Sequence, residues 1–565
     1  MRTLKALILL TLLLPTVGCK RISEVFRGDR MYSEKFVCHF DSSTAARLIV
    51  VSPDSRRVVY VTQADDKFVV VVDGKEEKAY DFIIQPVFSP DSRRVAYWAK
   101  IGEKWLVVVD GNEGRLFDSK NEEKLDVDGG NGTLFFSPDS RRLAYAAKNG
   151  EKWFVVVDGK EEGPYDDNWT PVFSPDSRRL AYWAEGANAK CFVVVDGKPG
   201  KPYFYYGDGP AFSADSRRVA YVAWDGAKHF VVIDGHEGKP YDDIGSRSLV
   251  FSPDSHRVAY WAEVGKKWFV VVDGKEGKQY EGKVAEKYAN IKPGPFFSPD
   301  SRRVTYWAEI GGKWLVVVDG NEGKHYDAKK SGLDDKVGNG TLAFSPDSQR
   351  VAYAARNDGK WIVVVDGIEE GPYDYIETDP IFSPDGRRVA YWADIDGGWL
   401  VVMDGKKGRQ FDEISNLLFS PDSRRVAYEV KLKHSGETAV VDGEEGREYD
   451  SIGNGTLVFS PDSRHVAYEA LSGWKHFVVI DGKEERLYDF VWWPIFGPDS
   501  RRVAYEAQVG GKWTVVVNGK EGKRFDEFEK MFVFDSMNEL HYLAHKNTAK
   551  NGKNYDVYLV EETLY

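Results

Sequence analysis

Residues 88–111 read FSPDSRRVAYWAKIGEKWLVVVDG, and this stretch decides the fold of the chain. Its Ser-Pro-Asp-Ser segment predicts a tight turn, because proline fixes φ near the value that the second position of a type I turn requires. RVAYWAK and WLVVV predict two strands, and the unbroken apolar run of the latter is typical of a strand covered on both faces. Asp110-Gly111 predicts a type I′ hairpin turn, whose central residues have positive φ. A short strand before the first turn and a polar strand after Gly111 complete a four-stranded unit.

The same unit recurs along the chain at spacings of 37 to 48 residues. A degenerate thirteenth copy runs from Phe532 to about Glu562. Each unit is too apolar to stand alone and has to bury both faces against neighbours, which predicts an all-β fold of β-propeller blades, about 12 or 13 in number. An open solenoid would satisfy the same stacking, but its coils are shorter and lack a four-stranded meander. The turns lie at Pro53, Pro90, Pro138, Pro175, Ala214 (in place of proline), Pro253, Pro299, Pro346, Pro384, Pro421, Pro461 and Pro498.

The number of copies predicts tandem propellers in two rings, since a single ring usually has about four to eight blades. The insertion around Pro293-Gly294-Pro295 is the preferred boundary, with propeller 1 at 46–290 (about six blades) and propeller 2 at 291–565 (about six to seven). The last copy has no good fourth strand. We expect residues 35–40 (KFVCHF), in the N-terminal segment 19–45, to supply it by pairing with residues 555–560.

The first eighteen residues predict a signal peptide. Arg2 and Lys5 precede the short apolar run ALILLTLLL, which is too short to cross a ~30 Å hydrocarbon layer comfortably. Gly18-Cys19 resembles a bacterial lipoprotein signal, in which Cys19 is lipidated, although Thr16 stands where that signal usually has leucine. Ordinary signal cleavage near the same point is the alternative. We therefore expect an exported protein of the periplasm, outer membrane or cell surface, with a lipid anchor at Cys19 as its membrane contact.

Composition and motifs argue against several functions. The formal net charge of -12 disfavours nucleic acid as a partner. No G-x-S-x-G or H-E-x-x-H occurs, and we predict no catalytic residue, cofactor or metal site. His541 and His545 are four apart on a predicted strand and lack a third ligand. Cys38 and Cys191 are too few for a disulfide framework, although a bridge between them stays open.

Two sets of residues at one second-strand position are candidates for binding. The first set is aromatic, and its alternative role is packing between blades, which the energetics of buried rings favour. The second set is acidic and could form a local acidic site, or lie near solvent at a strand end; if buried, it needs partners. The aromatic set is Trp98, Trp183, Trp261, Trp307 and Trp392, and the acidic set is Glu429, Glu469 and Glu506.

The repeated Ser-Arg-Arg segments place arginine pairs around one face of the fold. They could bind an anionic polymer, or pair with the aspartate of their own turn. The acidity of the whole chain favours the second interpretation.

The phrase S-P-D-[SG]-R-R-[VL]-A-Y, followed by a hydrophobic strand and Asp-Gly, resembles the WD-like β-propeller repeat found in TolB and in the propeller domains of the prolyl oligopeptidase family. The resemblance covers about residues 46–562 and implies a propeller that offers its ring faces to partners. We expect a non-catalytic scaffold that binds a protein or cell-envelope ligand. The alternatives are a propeller enzyme acting on a glycan in a central pocket, and a structural array without a defined ligand.

Overall fold

Thirteen β-sheets, one for each copy of the repeat, make up the described part of the computed structural model. In each sheet the second and third strands form an antiparallel hairpin, with a first strand on one side and a fourth strand on the other. Because the first strand of a propeller blade lines the central channel, we call it the inner strand. The structure describes residues 22–27, 30–41, 47–84, 86–118, 133–168, 170–281, 294–327, 342–432, 436–548 and 554–565.

The second and third strands carry the apolar core of each blade, and the third strands are buried over most of their length, as the unbroken apolar runs predict. The second strands are Val58–Ala64, Val95–Ile101, Leu143–Asn149, Leu180–Gly186, Val219–Trp224, Val258–Val264, Val304–Ile310, Val351–Asn357, Val389–Ile395, Val426–Lys431, Val466–Ser472, Val503–Val509 and Glu539–Asn547. The third strands are Lys67–Val72, Lys104–Val109, Lys152–Val157, Lys190–Val195, His229–Ile233, Lys267–Val272, Lys313–Val318, Lys360–Val365, Gly398–Met403, Glu437–Val441, Lys475–Ile480, Lys512–Val517 and Asn554–Leu564.

The inner strands are short, and in eight blades two described pieces flank a gap of a few residues. The inner strands are Arg47–Val51, Phe82–Ile83 with Val87–Phe88, Phe135–Phe136, Asp167–Asn168 with Val172–Phe173, Tyr205–Tyr206 with Ala211–Phe212, Asp243–Ile244 with Val250–Phe251, Phe296–Phe297, Ala343–Phe344, Tyr375–Ile376 with Ile381–Phe382, Glu413–Phe419, Ser451–Ile452 with Val458–Phe459, Phe490–Val491 with Ile495–Phe496, and Glu527–Phe528 with Val533–Phe534.

The fourth, outer strands are polar, as the sequence predicts. They are Lys75–Tyr80, Asn112–Glu113, Lys160–Tyr165, Lys198–Pro199, His236–Glu237, Lys275–Glu276, Asn321–Glu322 with Tyr326–Asp327, Ile368–Tyr373, Lys406–Phe411, Glu444–Glu445, Lys483–Glu484, Lys520–Phe525 and, in blade 13, Arg30–Asp41. Ile22–Arg27 pairs outside Arg30–Asp41 as a fifth strand of blade 13, and Ala187–Ala189 is a 3₁₀ turn.

Both predicted turns are present. Asp110 and Gly111 have φ of 52° and 76°, the positive values that a type I′ turn requires. The N–H of Ser92 donates to the carbonyl of Ser89 at 2.9 Å, which closes the Ser-Pro-Asp-Ser turn. Both turns lie on one face of the ring, which we call the turn face.

Hydrogen bonds on the turn face fasten each blade to the next. The N–H of Asp300 donates to Ser348 Oγ of the following blade at 2.9 Å. Arg303 pairs with Asp319 of its own blade at 2.9 Å, and also donates to the carbonyl of Gln349 in the next blade at 2.8 Å. The prediction that arginine pairs with its own turn is therefore wrong for this second arginine. The Asp300 carboxylate is already occupied by Ser298 Oγ and by the backbone N–H of Arg302.

The opposite face has its own fastening. Asp118, which follows the outer strand of blade 2, accepts a hydrogen bond at 2.7 Å from the N–H of Gly150 in blade 3. Lys104 pairs with the same carboxylate at 3.3 Å. The aspartate that ends the recurring Tyr-Asp or Phe-Asp dipeptide of the repeat thus links neighbouring blades, as Asp118 does here. Its carboxylate is therefore already occupied by partners within the ring.

The N-terminal segment closes the ring. Strand Arg30–Asp41 pairs antiparallel with strand Asn554–Leu564, and Phe36 is registered with Tyr558. This is the pairing predicted for residues 35–40 with residues 555–560. The last blade takes its outer strand from the beginning of the chain, so the two chain ends share one sheet.

The packing describes one ring and does not show the predicted division into two. Among the described residues, thirteen apolar clusters each join two neighbouring blades, and together they cover every interface from blade 1 to blade 13 and back to blade 1. Trp261 of blade 6 packs on Tyr306 of blade 7 like any other pair, and the N–H of Asp254 donates to Ser301 Oγ. The boundary at residue 290 falls outside the described residues. The prediction of two rings relied on the usual number of blades in a propeller. The number of blades in a ring is set instead by the packing angle at each of these interfaces.

The predicted signal peptide 1–18 and Cys19 also lie outside the described residues. Within the part of the chain that is described, no helix has the length and apolar character needed to cross a bilayer.

Candidate functional site

The tryptophans of the second-strand position are parts of the blade interfaces. Trp98, Trp183, Trp261 and Trp307 are buried, and Trp392 is half-buried. The ring of Trp307 meets Tyr353 of the next blade edge to face, with 5.3 Å between the ring centroids. Trp98, Trp183 and Trp261 make the same contact with the following blade at the same distance. Packing between blades, the alternative that the sequence favours, accounts for these four residues.

Glutamate replaces tryptophan at this position in blades 10, 11 and 12, and each carboxylate lies in a different interface. Glu429 is 2% exposed, and both of its carboxylate oxygens accept hydrogen bonds. Its oxygens accept hydrogen bonds from Ser415 Oγ at 3.1 Å, from Asn416 Nδ2 at 3.0 Å and from the N–H groups of Gly455 and Leu457 at 3.2 Å. Glu429 is therefore a structural carboxylate that joins the inner strands of blades 10 and 11.

The Glu469 carboxylate is buried and is paired with one histidine. His476 Nδ1 lies 2.7 Å from Glu469 Oε1, and the imidazole packs on the ring of Phe490, with 4.6 Å between centroids. Burial raises the pKa of Glu469, while the bond to His476 opposes that rise. The pair lies in the interface between blades 11 and 12, where Phe490 covers the imidazole.

Glu506 is the least satisfied of the three carboxyls. It is 7% exposed, and it accepts one hydrogen bond among the described residues, from the N–H of Phe532 in blade 13 at 3.3 Å. Burial raises its pKa to about 7, against the smaller lowering effect of the Phe532 N–H. Near neutral pH this group can therefore donate or accept a hydrogen bond.

Two exposed tryptophans lie on the inner strand that pairs with the strand of Glu506. Trp492 and Trp493 occupy the gap in the inner strand of blade 12, and they are 45% and 49% exposed. The N–H of Trp492 donates to the backbone carbonyl of Glu506 at 2.8 Å, which holds this gap against the second strand of blade 12. Met531, in the corresponding gap of blade 13, is also exposed. We call Trp492, Trp493, Glu506, Met531 and Phe532 the inner-wall site.

Trp492 and Trp493 are not among the binding residues that the repeat pattern predicts. A signal was available: Trp-Trp-Pro at 492–494 stands where blade 2 has Ile-Gln-Pro at 84–86. The residues that recur in most repeats form the links between blades, whereas Trp492 and Trp493 differ from their counterparts and are exposed.

The inner-wall site can bind by stacking and by one hydrogen bond. Indole faces offer large rigid surfaces, and a buried carboxyl titrating near neutrality can bond to a hydroxyl, an amide or a cation. In the described part of the chain no group of three or more His, Cys, Asp or Glu side chains is arranged to hold a metal ion. That the protein needs no cofactor, and that it is not an enzyme, stay predictions.

His541 and His545 have separate partners. His541 Nδ1 lies 2.8 Å from Asp535 and its Nε2 lies 2.7 Å from the Asp54 carbonyl, which links blade 13 to blade 1. His545 Nε2 lies 2.7 Å from Glu529, and its ring stacks on Tyr555. Both histidines thus have structural partners.

Cys38 and Cys191 are buried and free, so the bridge that the sequence left open is not formed. Cys38 lies in the interface between blades 13 and 1. Cys191 lies in the interface between blades 4 and 5, at a third-strand position where other blades carry tryptophan.

Comparison with protein-family models gives no match, and comparison with curated proteins gives none either. Similar solved structures include a crystal structure of the eukaryotic initiation factor, with 14% identity, 58% of this chain and 87% of that chain covered, and a TM-score of 0.29. TolB from Acinetobacter baumannii shows 18% identity, 42% and 65% coverage and a TM-score of 0.19. The Dos1 propeller shows 13% identity, 55% and 90% coverage and a TM-score of 0.26.

These values carry no argument about function. The 13-bladed propeller is established by its own strand pairing and interfaces. Membership of the WD-like repeat family stays a resemblance carried by the Ser-Pro-Asp-Ser-Arg-Arg phrase.

Proposed function

We propose that this chain is an exported scaffold, anchored to the cell envelope through Cys19, which binds a protein or cell-envelope ligand at the inner-wall site. The observation that carries the proposal is the exposure of Trp492 and Trp493 side by side on one inner strand. The same residue type is buried in the interfaces of blades 2, 4, 6 and 7. Exposed tryptophan pairs are costly in water, and tryptophan is enriched among the residues that dominate binding energy at interfaces.

The position of Cys19 in the sequence fits an anchor beside the closing blade. It precedes Ile22, the first residue of the fifth strand of blade 13, by three residues. Three extended residues span at most about 11 Å. A lipid on Cys19 would hold the outer edge of blade 13 close to the membrane surface and leave the rest of the ring available to partners.

Affinity capture from an envelope fraction tests the binding proposal. The bait is the chain from residue 20 onward, compared with Trp492→Ala/Trp493→Ala and with the control Trp474→Ala. Trp474 is 94% exposed in a turn of blade 11, outside the inner-wall site. We expect one ligand to be retained by the unmodified chain and by the control but lost by the double variant, and to bind again after purification. Equal retention by all three baits, or no retention, would overturn the proposal.

Lipid incorporation tests the anchor independently of the ligand. With a radiolabelled fatty acid in a bacterial host, we expect label on the full chain and none on Cys19→Ser. Release of the unmodified chain into the soluble periplasmic fraction without label would contradict the anchor and leave the inner-wall site untouched.

An enzyme acting on a glycan is the second candidate, and the environment of Glu506 is what favours it. A carboxyl with a pKa of about 7 has the property that a general acid needs, and the exposed indoles of the paired inner strand could stack on a sugar. Turnover of a glycan that is lost in Glu506→Gln would favour the enzyme. Binding of the glycan without turnover would favour the scaffold, and the absence of any ligand would favour a purely structural ring.

A further inference from the structure

A cavity opens on the turn face, where blade 12 meets blade 13. Its volume is about 790 Å³, and Arg30, Arg501, Arg502 and Lys520 line it together with one acidic side chain, Asp499. The chain as a whole has a formal net charge of -12. Four basic side chains against one acidic side chain make this cavity a local exception on an acidic protein.

The cavity exists because the fastening of the turn face is incomplete at this junction. In blade 7 the second arginine, Arg303, pairs with Asp319 of the Asp-Gly turn. In blade 12 that aspartate is replaced by Asn518. Asn518 Oδ1 still accepts the N–H of Val503 at 2.9 Å, as the aspartate does elsewhere, but it brings no negative charge.

Arg502 consequently binds differently from its counterparts. Its Nη1 donates to Asp499 Oδ2 at 2.6 Å and to the carbonyl of Met537 at 2.7 Å. Asp499 is available because Gly497 stands where other turns have the serine whose Oγ occupies the aspartate. Blade 13 has no Ser-Pro-Asp-Ser turn to cover the junction, and Met537 there is exposed.

The other cations differ in how far they are compensated. Arg30 is buried and bonded to Glu562 at 3.1 Å, so its charge is neutralised within blade 13. Arg501 is exposed at the cavity and forms no ion pair within the described residues. Its counterpart in blade 11, Arg464, lies 4.0 Å from the aspartate of its own turn. Arg501 and the remaining donors of Arg502 are thus the groups that can receive an anion.

We propose that this cavity binds a ligand bearing an oxyanion, a phosphate or carboxylate group, through the guanidinium groups of Arg501 and Arg502. Planar guanidinium groups bind both oxyanions in a bidentate manner, and a charge-assisted hydrogen bond is about twice as strong as a neutral one. The cavity shares no lining residue with the inner-wall site, and the proposal is independent of the function proposed above.

Titration calorimetry on the full ring, from residue 20 onward, tests this inference with inorganic phosphate and with succinate as probes. Co-sedimentation with phosphatidylglycerol vesicles, against phosphatidylcholine vesicles, distinguishes a lipid headgroup from a free anion. The decisive variant is Asn518→Asp, which restores the aspartate of the other blades. We expect it to fold as well as the unmodified chain and to bind the anion at least roughly tenfold more weakly, because the new carboxylate pairs with Arg502.

Arg501→Ala should weaken binding in the same way, and Arg464→Ala is the matched control, an exposed first arginine in the neighbouring blade. Binding that weakens with added salt and in both cavity variants, but not in the control, supports the proposal. Failure of phosphate, succinate and vesicles alike to bind would overturn it. Binding that survives Asn518→Asp unchanged would also overturn it.

Discussion

Blades 6 and 7 and blades 10 to 12 use the same second-strand position in opposite ways. In the former, Trp261 and Trp307 fill the interface and pack edge to face on the next blade. In the latter, a carboxyl takes the place of the indole, and the number of its partners falls from four hydrogen bonds at Glu429 to one at Glu506. The repeat thus tolerates either an indole or a carboxyl at this buried position. Blade 12, whose carboxyl has the weakest hydrogen bonding of the three, is also the blade that exposes Trp492 and Trp493.

Truncation of an interface tryptophan should lower the stability of the protein more than substitution of a buried carboxyl or of an arginine on the turn face. It tests whether the tryptophans hold neighbouring blades together. Trp307→Ala removes a buried ring from the junction of blades 7 and 8, and we expect the free energy of unfolding to fall by about 3–5 kcal/mol. Urea denaturation followed by circular dichroism measures this change. The exposed Trp474→Ala should shift the same quantity by about 0.5 kcal/mol or less. Equal effects of the two substitutions would contradict the assignment of Trp307 to packing.

Neutralising Glu506 should stabilise the protein, and only where the carboxyl is ionised. Burial raises the pKa of Glu506 to about 7, above the value of about 4.5 expected in the unfolded chain, so the folded state holds the proton more tightly. The destabilisation from ionising this buried group is absent below pH ~4.5, grows as the pH rises and is complete above pH ~7. Glu506→Gln should therefore raise the free energy of unfolding at pH 8 by on the order of 2–3 kcal/mol, and by nothing near pH 4.

Glu429→Gln is the matched control, and it should act in the opposite direction. Four donors face the oxygens of Glu429, so an amide NH₂ in place of one oxygen leaves donors unpaired and costs about 1–3 kcal/mol. If both Glu506→Gln and Glu429→Gln stabilised the protein, the two carboxyls would not differ in hydrogen bonding, which would contradict the account.

Substitutions on the turn face should change the free energy of unfolding least. Arg303→Ala removes a half-exposed ion pair with Asp319 and a hydrogen bond to the Gln349 carbonyl, and we expect the free energy of unfolding to fall by about 1–2 kcal/mol, with the ion-pair part screened in 1 M salt. The same urea experiment at low and high salt measures it. A loss as large as that of Trp307→Ala would show that the links between turns, and not the apolar interfaces, hold the ring together.

Much of the fold could be predicted because each repeat contains the residues that specify its own strands and turns. Pro90 and Asp110-Gly111 specify turns through their backbone preferences, and the missing fourth strand of the last copy pointed to residues 35–40. The ring number could not be predicted in the same way, since it depends on small rotations between blades that no single repeat encodes. Trp492 and Trp493 could not be predicted from the repeat, because they lie in a segment where blade 12 differs from the other blades.

Cryo-electron microscopy of the chain from residue 20 onward tests the central claim most directly, by counting blades in views along the channel. We predict a single closed ring of thirteen blades, with the N-terminal strand Arg30–Asp41 completing the last of them. Particles with two smaller rings, or an open stack in which blade 13 does not meet blade 1, would contradict the account.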